Sequence, residues 1–271
     1  MPTQLIVSAD DFGLSLEVNE AVERAHRNGI LRSASLMVGA DATGDAIRRA
    51  HELPSLRVGL HLVLVNGRPI LPAREVAPLV DRRGDFPRNL VSAGFRFFFH
   101  PGARKALEAE IRAQFEAFAK TGLYLDHVNA QNHMHVHPTV LGIIIKVGRE
   151  YGLQAMRIPE EPRDAALLRP WLALMRRRLT RAQIATNDTV CGIRYSGHMT
   201  RGRVLALLDQ LPPGVCEMYF HPATGPWDGI DPQIAGYDFA GELDALTSAE
   251  VREKIEAAGI ATLTYSDLHA C

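Results

Sequence analysis

The sequence predicts an α/β fold, an irregular (β/α) barrel of about seven or eight units, with a doubly wound open sheet as the second candidate. Three observations carry this expectation. Short apolar runs alternate with longer amphipathic segments from end to end of the 271 residues. The first run, residues 5–9, brings Leu, Ile and Val together as a strand covered on both faces does. Polar residues able to do chemistry cluster just after the strand-like runs, and a barrel gathers all such strand ends at one face.

In chain order, residues 5–9 read as a strand, followed by Asp10-Asp11-Phe12-Gly13. Residues 15–28 have helical apolar spacing (Val18, Ala21, Val22, Ala25) and stop at Gly29, a residue suited to a helix end. Strands follow at 34–38 and 57–65, with a helix at 42–52 ended by Pro54. Residues 66–100 are broken by Pro69, Pro72, Pro78 and Pro87 and read as irregular. A helix at 103–120, a strand at 124–129, a helix at 138–150 opened by Pro138 and a strand at 155–158 come next. The remainder gives helices near 170–182, 201–211 and 240–258, and strands near 189–192, 215–220 and 261–264. No internal repeat, low-complexity tract or linker-like break divides the chain. A single catalytic domain over 1–271, with an irregular insertion at about 66–102, is the expectation.

Composition narrows the function classes. Hydrophobic residues make up 46% and charged residues 23%, as in an ordinary globular enzyme. A net charge of -1 gives nucleic acid no electrostatic purchase. Cys191, Cys216 and Cys271 are far apart and form no C-x-x-C pair, which argues against a disulfide framework and against a thiolate zinc site, and fits a reducing cytoplasm. No basic n-region or cleavage site opens the chain, and no predominantly apolar run reaches the ~18 residues of a membrane span, so a cytoplasmic location is expected.

Four clusters carry chemistry. Asp10-Asp11 ends the first strand; if the backbone turns there, one carboxylate can bind a metal while the other takes a proton from water. Capping of the next helix is the plainer alternative. His61 stands in the apolar strand Val58-Gly59-Leu60-His61-Leu62-Val63, where a core histidine and a ligand are both open. The stretch from His127 to His137 holds four of the eleven histidines, and in an extended segment His127, Asn129, Gln131, His133, His135 and His137 fall on one side. Neutral imidazoles suit zinc and similar ions, although four cannot all ligate one ion; some must orient others or touch substrate. His221, at the end of 215–220, is a candidate general acid, and Arg157 a candidate partner that holds a catalytic carboxylate ionised.

Together, Ser8-Ala9-Asp10-Asp11-Phe12-Gly13, Gly59-Leu60-His61, the histidine stretch and His221-Pro222-Ala223 resemble the YdjC-like carbohydrate deacetylases, over essentially the whole chain. Val128-Asn129-Ala130, His133-Met134-His135, Arg157-Ile158-Pro159-Glu160 and Glu217 to Thr224 look closest to the hopanoid-biosynthesis-associated branch. The resemblance implies an irregular barrel and removal of an N-acetyl group from an amino sugar, in that branch an N-acetylglucosaminyl hopanoid lipid. It also implies a divalent metal, zinc first and magnesium as the alternative. By position, Asp10 would be the general base, Asp11 and His61 metal ligands, His221 the general acid and Arg157 the partner of Asp10. The third ligand departs from the family pattern, since Gln131 stands where the family has histidine; Gln131 itself, His133 or His135 are the candidates, or the metal is weak or lost. His135 and Phe97 are candidate substrate contacts. Residues 94–100 carry four of the ten phenylalanines beside arginine, and with the basic segment 176–181 they suggest a lipid or membrane-surface contact, against a loop packed on the barrel. Two rivals stand beside the deacetylase: a metal-dependent phosphoesterase and a non-catalytic sugar- or lipid-binding descendant. Oligomeric state has no signature in the sequence.

Overall fold

The computed structural model describes residues 3–161 and 168–269; Cys271 lies outside them. Along the chain come β1 (Thr3–Phe12), α1 (Leu16–Asn28), β2 (Ser33–Leu36), α2 (Thr43–Glu52), β3 (Arg57–Leu62), α3 (Leu90–Phe99), α4 (Pro101–Lys120) and β4 (Val128–Ala130). They are followed by α5 (Pro138–Gly148), α6 (Arg169–Arg181), β5 (Thr189–Val190), α7 (Arg201–Leu208), β6 (Gly214–Phe220), α8 (Phe239–Thr247), α9 (Ala249–Ala257) and β7 (Ala261–Leu263).

All the strand pairings are parallel, in the order β4-β3-β2-β1-β6-β5, with β7 also on β1. The sheet curls into a half-barrel, as the alternation predicts. Single bridges from Val128 to Met156 and from Ala155 to Ala185 carry the pairing beyond β4, so the expected strand at 155–158 survives only as bridges. Parallel pairing puts every strand's C-terminal end on the same side, where the polar clusters sit. Helices cover the outside through apolar stripes. In α1, Ser15 Oγ accepts from Val18 N at 3.2 Å to cap the first turn, and Val18, Ala21, Val22 and Ala25 are buried at helical spacing. Among the described residues no helix is long and apolar enough to cross a membrane.

Four readings of the sequence change. The 66–102 segment is not wholly irregular. Asn89 Oδ1 accepts from Ser92 N at 2.9 Å and starts α3, and Ala93 and Phe97, one turn apart, bury its inner side. The helix expected at 240–258 is two, because Ser248 leaves helical geometry and its Oγ caps α9 through Val251 N. The histidine stretch is extended only to Ala130; Gln131–Val136 is a 3-10 segment in which Asn132 and His133 take left-handed φ of 50° and 53°, which ends the strand alternation. Cys191, immediately after β5, and Cys216, in the adjacent β6, form a disulfide with Cα atoms 6.4 Å apart. Sequence spacing is blind to that pairing, and the cysteines therefore lend no support to a reducing compartment.

Beside α3, the loop that leaves β3 is tied to α4 from within. Buried Glu110 accepts from Ile70 N at 2.8 Å and Leu71 N at 3.1 Å. Gln114, one turn on, exchanges two bonds with the Val63 backbone at 2.9 and 2.7 Å. These side chains replace the backbone partners that an irregular chain lacks.

Candidate active site

At the C-terminal end of the sheet lies a cavity of about 550 Å³ lined by Asp10, Asp11, His61, Gln131, His133 and His221, among others. β1 supplies the two aspartates through a local irregularity: its register against β2 shifts between Ala9 and Phe12, and Asp11 takes a left-handed φ of 64°. That turn lets neighbouring side chains of one strand face the same cavity. β3 delivers His61, the chain after β4 delivers Gln131 and His133, and the chain after β6 delivers His221.

Asp10 is 2% exposed. Arg157, with no exposed surface, grips it by NH1 to Oδ2 at 2.6 Å and NH2 to Oδ1 at 3.0 Å. Ser35 Oγ and Asn129 Nδ2 also donate to Oδ1, at 3.1 and 2.9 Å. Burial alone would favour the neutral acid; Arg157, aided by His61, outweighs it and holds the Asp10 carboxyl well below its usual range. Arg157 spends its other donors on Glu217, through Nε to Oε2 at 2.7 Å and NH2 to Oε1 at 2.8 Å. Glu217 is completed by Ser8 Oγ and the Tyr265 hydroxyl, at 2.6 and 2.7 Å.

His61 has a fixed orientation. Asn129 donates its Nδ2 to Asp10 and Ser35, so its Oδ1 must accept from His61 Nδ1, 2.7 Å away. His61 Nε2 then points at Asp11 Oδ1 at 3.3 Å. With a neutral ring these are two facing acceptors, which a shared proton or a cation must reconcile. Burial opposes a charge on His61, yet the bond and charge of Asp11, with the charge of Asp10, raise its pKa. Several further polar atoms are buried without a hydrogen-bond partner: Gln131 Oε1, His133 Nδ1 and His221 Nδ1 on cavity-lining residues, and both nitrogens of His135 outside the lining. Buried polar atoms without partners around one cavity mark a site built to bind a polar group. Among the described residues no three His, Cys, Asp or Glu are grouped to hold a metal ion. Asp11, His61 and Gln131 line the same cavity, where Gln131 Oε1 lacks a hydrogen-bond partner; a carboxylate, an imidazole and an amide oxygen are all donor types that divalent metals accept.

The other expected residues scatter. His133 lines the cavity near the Tyr219 hydroxyl, at 3.3 Å, and burial with Arg157 nearby pushes its pKa down to about 4. His135 is fully buried and does not line the cavity, so it is no substrate contact in this arrangement. Phe97 is 1% exposed and packs edge-on to His137, which likewise removes it from the cavity; its neighbours on α3 face outward. His127 is buried beneath the site, with Nδ1 on Asp126 Oδ2 at 2.8 Å and Nε2 on Ser35 Oγ at 3.1 Å, and His137 caps α5. Sequence reasoning missed Ser35, Asn129, Glu217 and Glu242. Two of them had a signal: Asn129 falls on the histidine side of the 127–137 stretch, and Glu217 is a charge inside the apolar run of a central strand. Buried Glu242 accepts from the backbone N of His221 and of Met199, which fixes the chain that presents His221.

This arrangement can be set beside known proteins. The family model for YdjC-like protein matches residues 4–257. The chain belongs to that family. This YdjC-like protein is 32% identical to a carbohydrate deacetylase from Brevibacillus brevis, with 98% of this chain and 99% of the relative covered. It is also 32% identical to a carbohydrate deacetylase from Geobacillus stearothermophilus, with 99% of each covered. A crystal structure from Enterococcus faecalis V583, described as a cellobiose-phosphate cleavage protein, superposes with a TM-score of 0.83 at 28% identity over 99% of both chains.

Proposed function

We propose that this protein is a metal-dependent carbohydrate N-deacetylase, hydrolysing the acetamide of an N-acetylated amino sugar. The observation that carries the reading is Asp10, a buried carboxylate locked in its ionised form by Arg157 beside the facing pair Asp11 and His61. A base with this fixed orientation suits proton abstraction from an attacking water. The two relatives named carbohydrate deacetylases, matched along nearly their whole length, support the same reaction.

In the proposed mechanism Asp10 accepts the proton of the attacking water, while Ser35, Asn129 and Arg157 hold its oxygens in place. His221, on the cavity wall with its backbone anchored by Glu242, donates a proton to the departing amine. Asp11, His61 and Gln131 would hold a divalent cation, with His133 the alternative third donor. Such a cation supplies Lewis-acid polarisation of the acetyl carbonyl. Imidazole donors favour Zn²⁺, and the oxygen donors of Asp11 and Gln131 make Mg²⁺ the alternative. The branch-level motifs noted above further support an N-acetylglucosaminyl lipid of the hopanoid class as acceptor.

Acetate release from N-acetylglucosaminyl acceptors, run beside phosphate release from a panel of esters, with metal content measured in the same preparation, tests this. Acetate without phosphate is expected. Phosphate release without acetate would replace the reading with a phosphoesterase, and sugar binding without either product would make the chain a non-catalytic descendant.

A further inference from the structure

Of the nine large apolar side chains exposed among the described residues, five lie on the ten residues of α3: Leu90 at 39%, Val91 at 69%, Phe95 at 64%, Phe98 at 57% and Phe99 at 68%. Phe95 stacks on Phe99 with centroids 5.9 Å apart, and Phe98 meets Phe99 edge-on at 4.8 Å, so the rings touch one another rather than the core. A helix that is apolar on nearly every side needs a second apolar surface. The patch adjoins the active site, because Leu90 also lines the cavity.

Charge identifies the second surface. Residues 86–107 hold Arg88, Arg96, Arg104 and Lys105 and no acidic residue, in a chain whose net charge is -1; Arg88 pairs with Asp231 and Arg96 donates to Pro78 O, which leaves Arg104 and Lys105 as the main exposed charge. Arg104 and Lys105 are exposed just beyond α3. α6 repeats the pattern, with Leu168 at its start 55% and Leu174 46% exposed and no acid but five arginines in the helix, of which Arg176 is turned to Glu160 and the 186–188 chain. The two helices reach the same short stretch before α5: Phe98 of α3 packs edge-on to His137, and Trp171 Nε1 of α6 donates to Val136 O at 2.8 Å. A second copy of the chain is a poor occupant. A symmetric pairing through α3 would set one basic rim against the same basic rim.

We propose that α3, with α6 beyond α5, is a docking surface for an anionic phospholipid bilayer. Phe95, Phe98 and Phe99 enter the headgroup–acyl boundary, and the basic residues around them meet anionic headgroups. With Leu90 at the cavity wall, a sugar held at the bilayer surface by its lipid can reach Asp10 without leaving the membrane. That consequence rests on the deacetylase reading; the docking surface does not.

The experiment is co-sedimentation of the full chain with vesicles of phosphatidylcholine alone and of phosphatidylcholine with phosphatidylglycerol. Binding to the anionic vesicles is expected, weakened by salt and reduced roughly tenfold or more by the combined Phe95→Ser, Phe98→Ser and Phe99→Ser variant. Arg104→Glu with Lys105→Glu should lower binding to anionic vesicles while leaving the fold unchanged by circular dichroism. Absence of wild-type binding, or equal binding by the folded phenylalanine variant, overturns the proposal. So does a wild-type dimer that this variant converts to monomer, which would make the face a self-association surface. Acetate release from a soluble N-acetylglucosaminyl acceptor, measured in parallel, keeps the two readings apart. Vesicle binding without acetate release would leave the docking surface standing and remove the deacetylase.

Discussion

Replacing Arg157 by Met removes one buried cation from between two buried carboxylates while keeping an unbranched chain of similar reach. Arg157 makes five hydrogen bonds, to Asp10, Glu217 and Ser8, at 2.6 to 3.2 Å. Without it, Asp10 and Glu217 face each other with only hydroxyl and amide donors left. Breaking a buried pair by removing one partner costs about 3–5 kcal/mol, which for a chain of this size is a fall in Tm of roughly 10 °C. The pH dependence gives the sharper test. In the native protein both carboxyls lie below their ordinary values of 3.8 and 4.5, so their contribution is present above those values and is lost as pH falls below them. In the Met variant burial loses its main opponent, and both carboxyls rise. The variant is then least destabilised below the unfolded values and loses stability as pH rises. The Tm gap between the two proteins should widen from pH 5 to pH 8, and Glu217→Gln added to Arg157→Met should recover part of it. A variant within 1 kcal/mol of the native protein at pH 7, or a gap that ignores pH, would refute this account of Arg157.

Three further outcomes are expected. A Cβ at Gly59 would sit 2.5 Å from His127 Cε1, so Gly59→Ala should destabilise by about 1–3 kcal/mol by chemical denaturation. Burial works against the charge of Asp126, but its bond to His127 and those from Ser266 hold it ionised. Its contribution is therefore present above pH ~4 and lost below, and Asp126→Asn should cost about 1–3 kcal/mol at pH 7, with the gap closing as acid is added. Gln131→His should tighten Zn²⁺ binding by roughly tenfold or more in a chelator competition, because imidazole is the better donor for that ion; unchanged affinity would remove position 131 from the metal set.

Much of the fold was legible because its signals are local. Apolar runs and amphipathic stripes such as Val18, Ala21, Val22 and Ala25 report burial directly, and parallel strands then bring Asp10, His61, Gln131 and His221 to one end. The histidine stretch departs from strand alternation after Ala130, where two left-handed residues, Asn132 and His133, break it, and no glycine or proline there announces the break. Phe97 and Phe98 are adjacent in the sequence, and only the helical geometry of α3 decides that one is 1% and the other 57% exposed. The roles of Ser35 and Asn129 were out of reach for another reason. Each is a common polar residue whose importance comes from partners 25 to 119 positions away. The cysteine pair was invisible likewise, since 25 residues of chain separate two sulfurs that β5 and β6 bring together.

The proposed division of labour between the adjacent aspartates is reached by one paired measurement. Asp10→Asn and Asp11→Asn are each assayed for bound metal and for acetate release from an N-acetylglucosaminyl acceptor. Asp10→Asn should keep its metal and lose about 10²–10⁴-fold in turnover, the share carried by a general base, while Asp11→Asn should lose the metal itself. Full turnover by a folded, metal-loaded Asp10→Asn protein would contradict it.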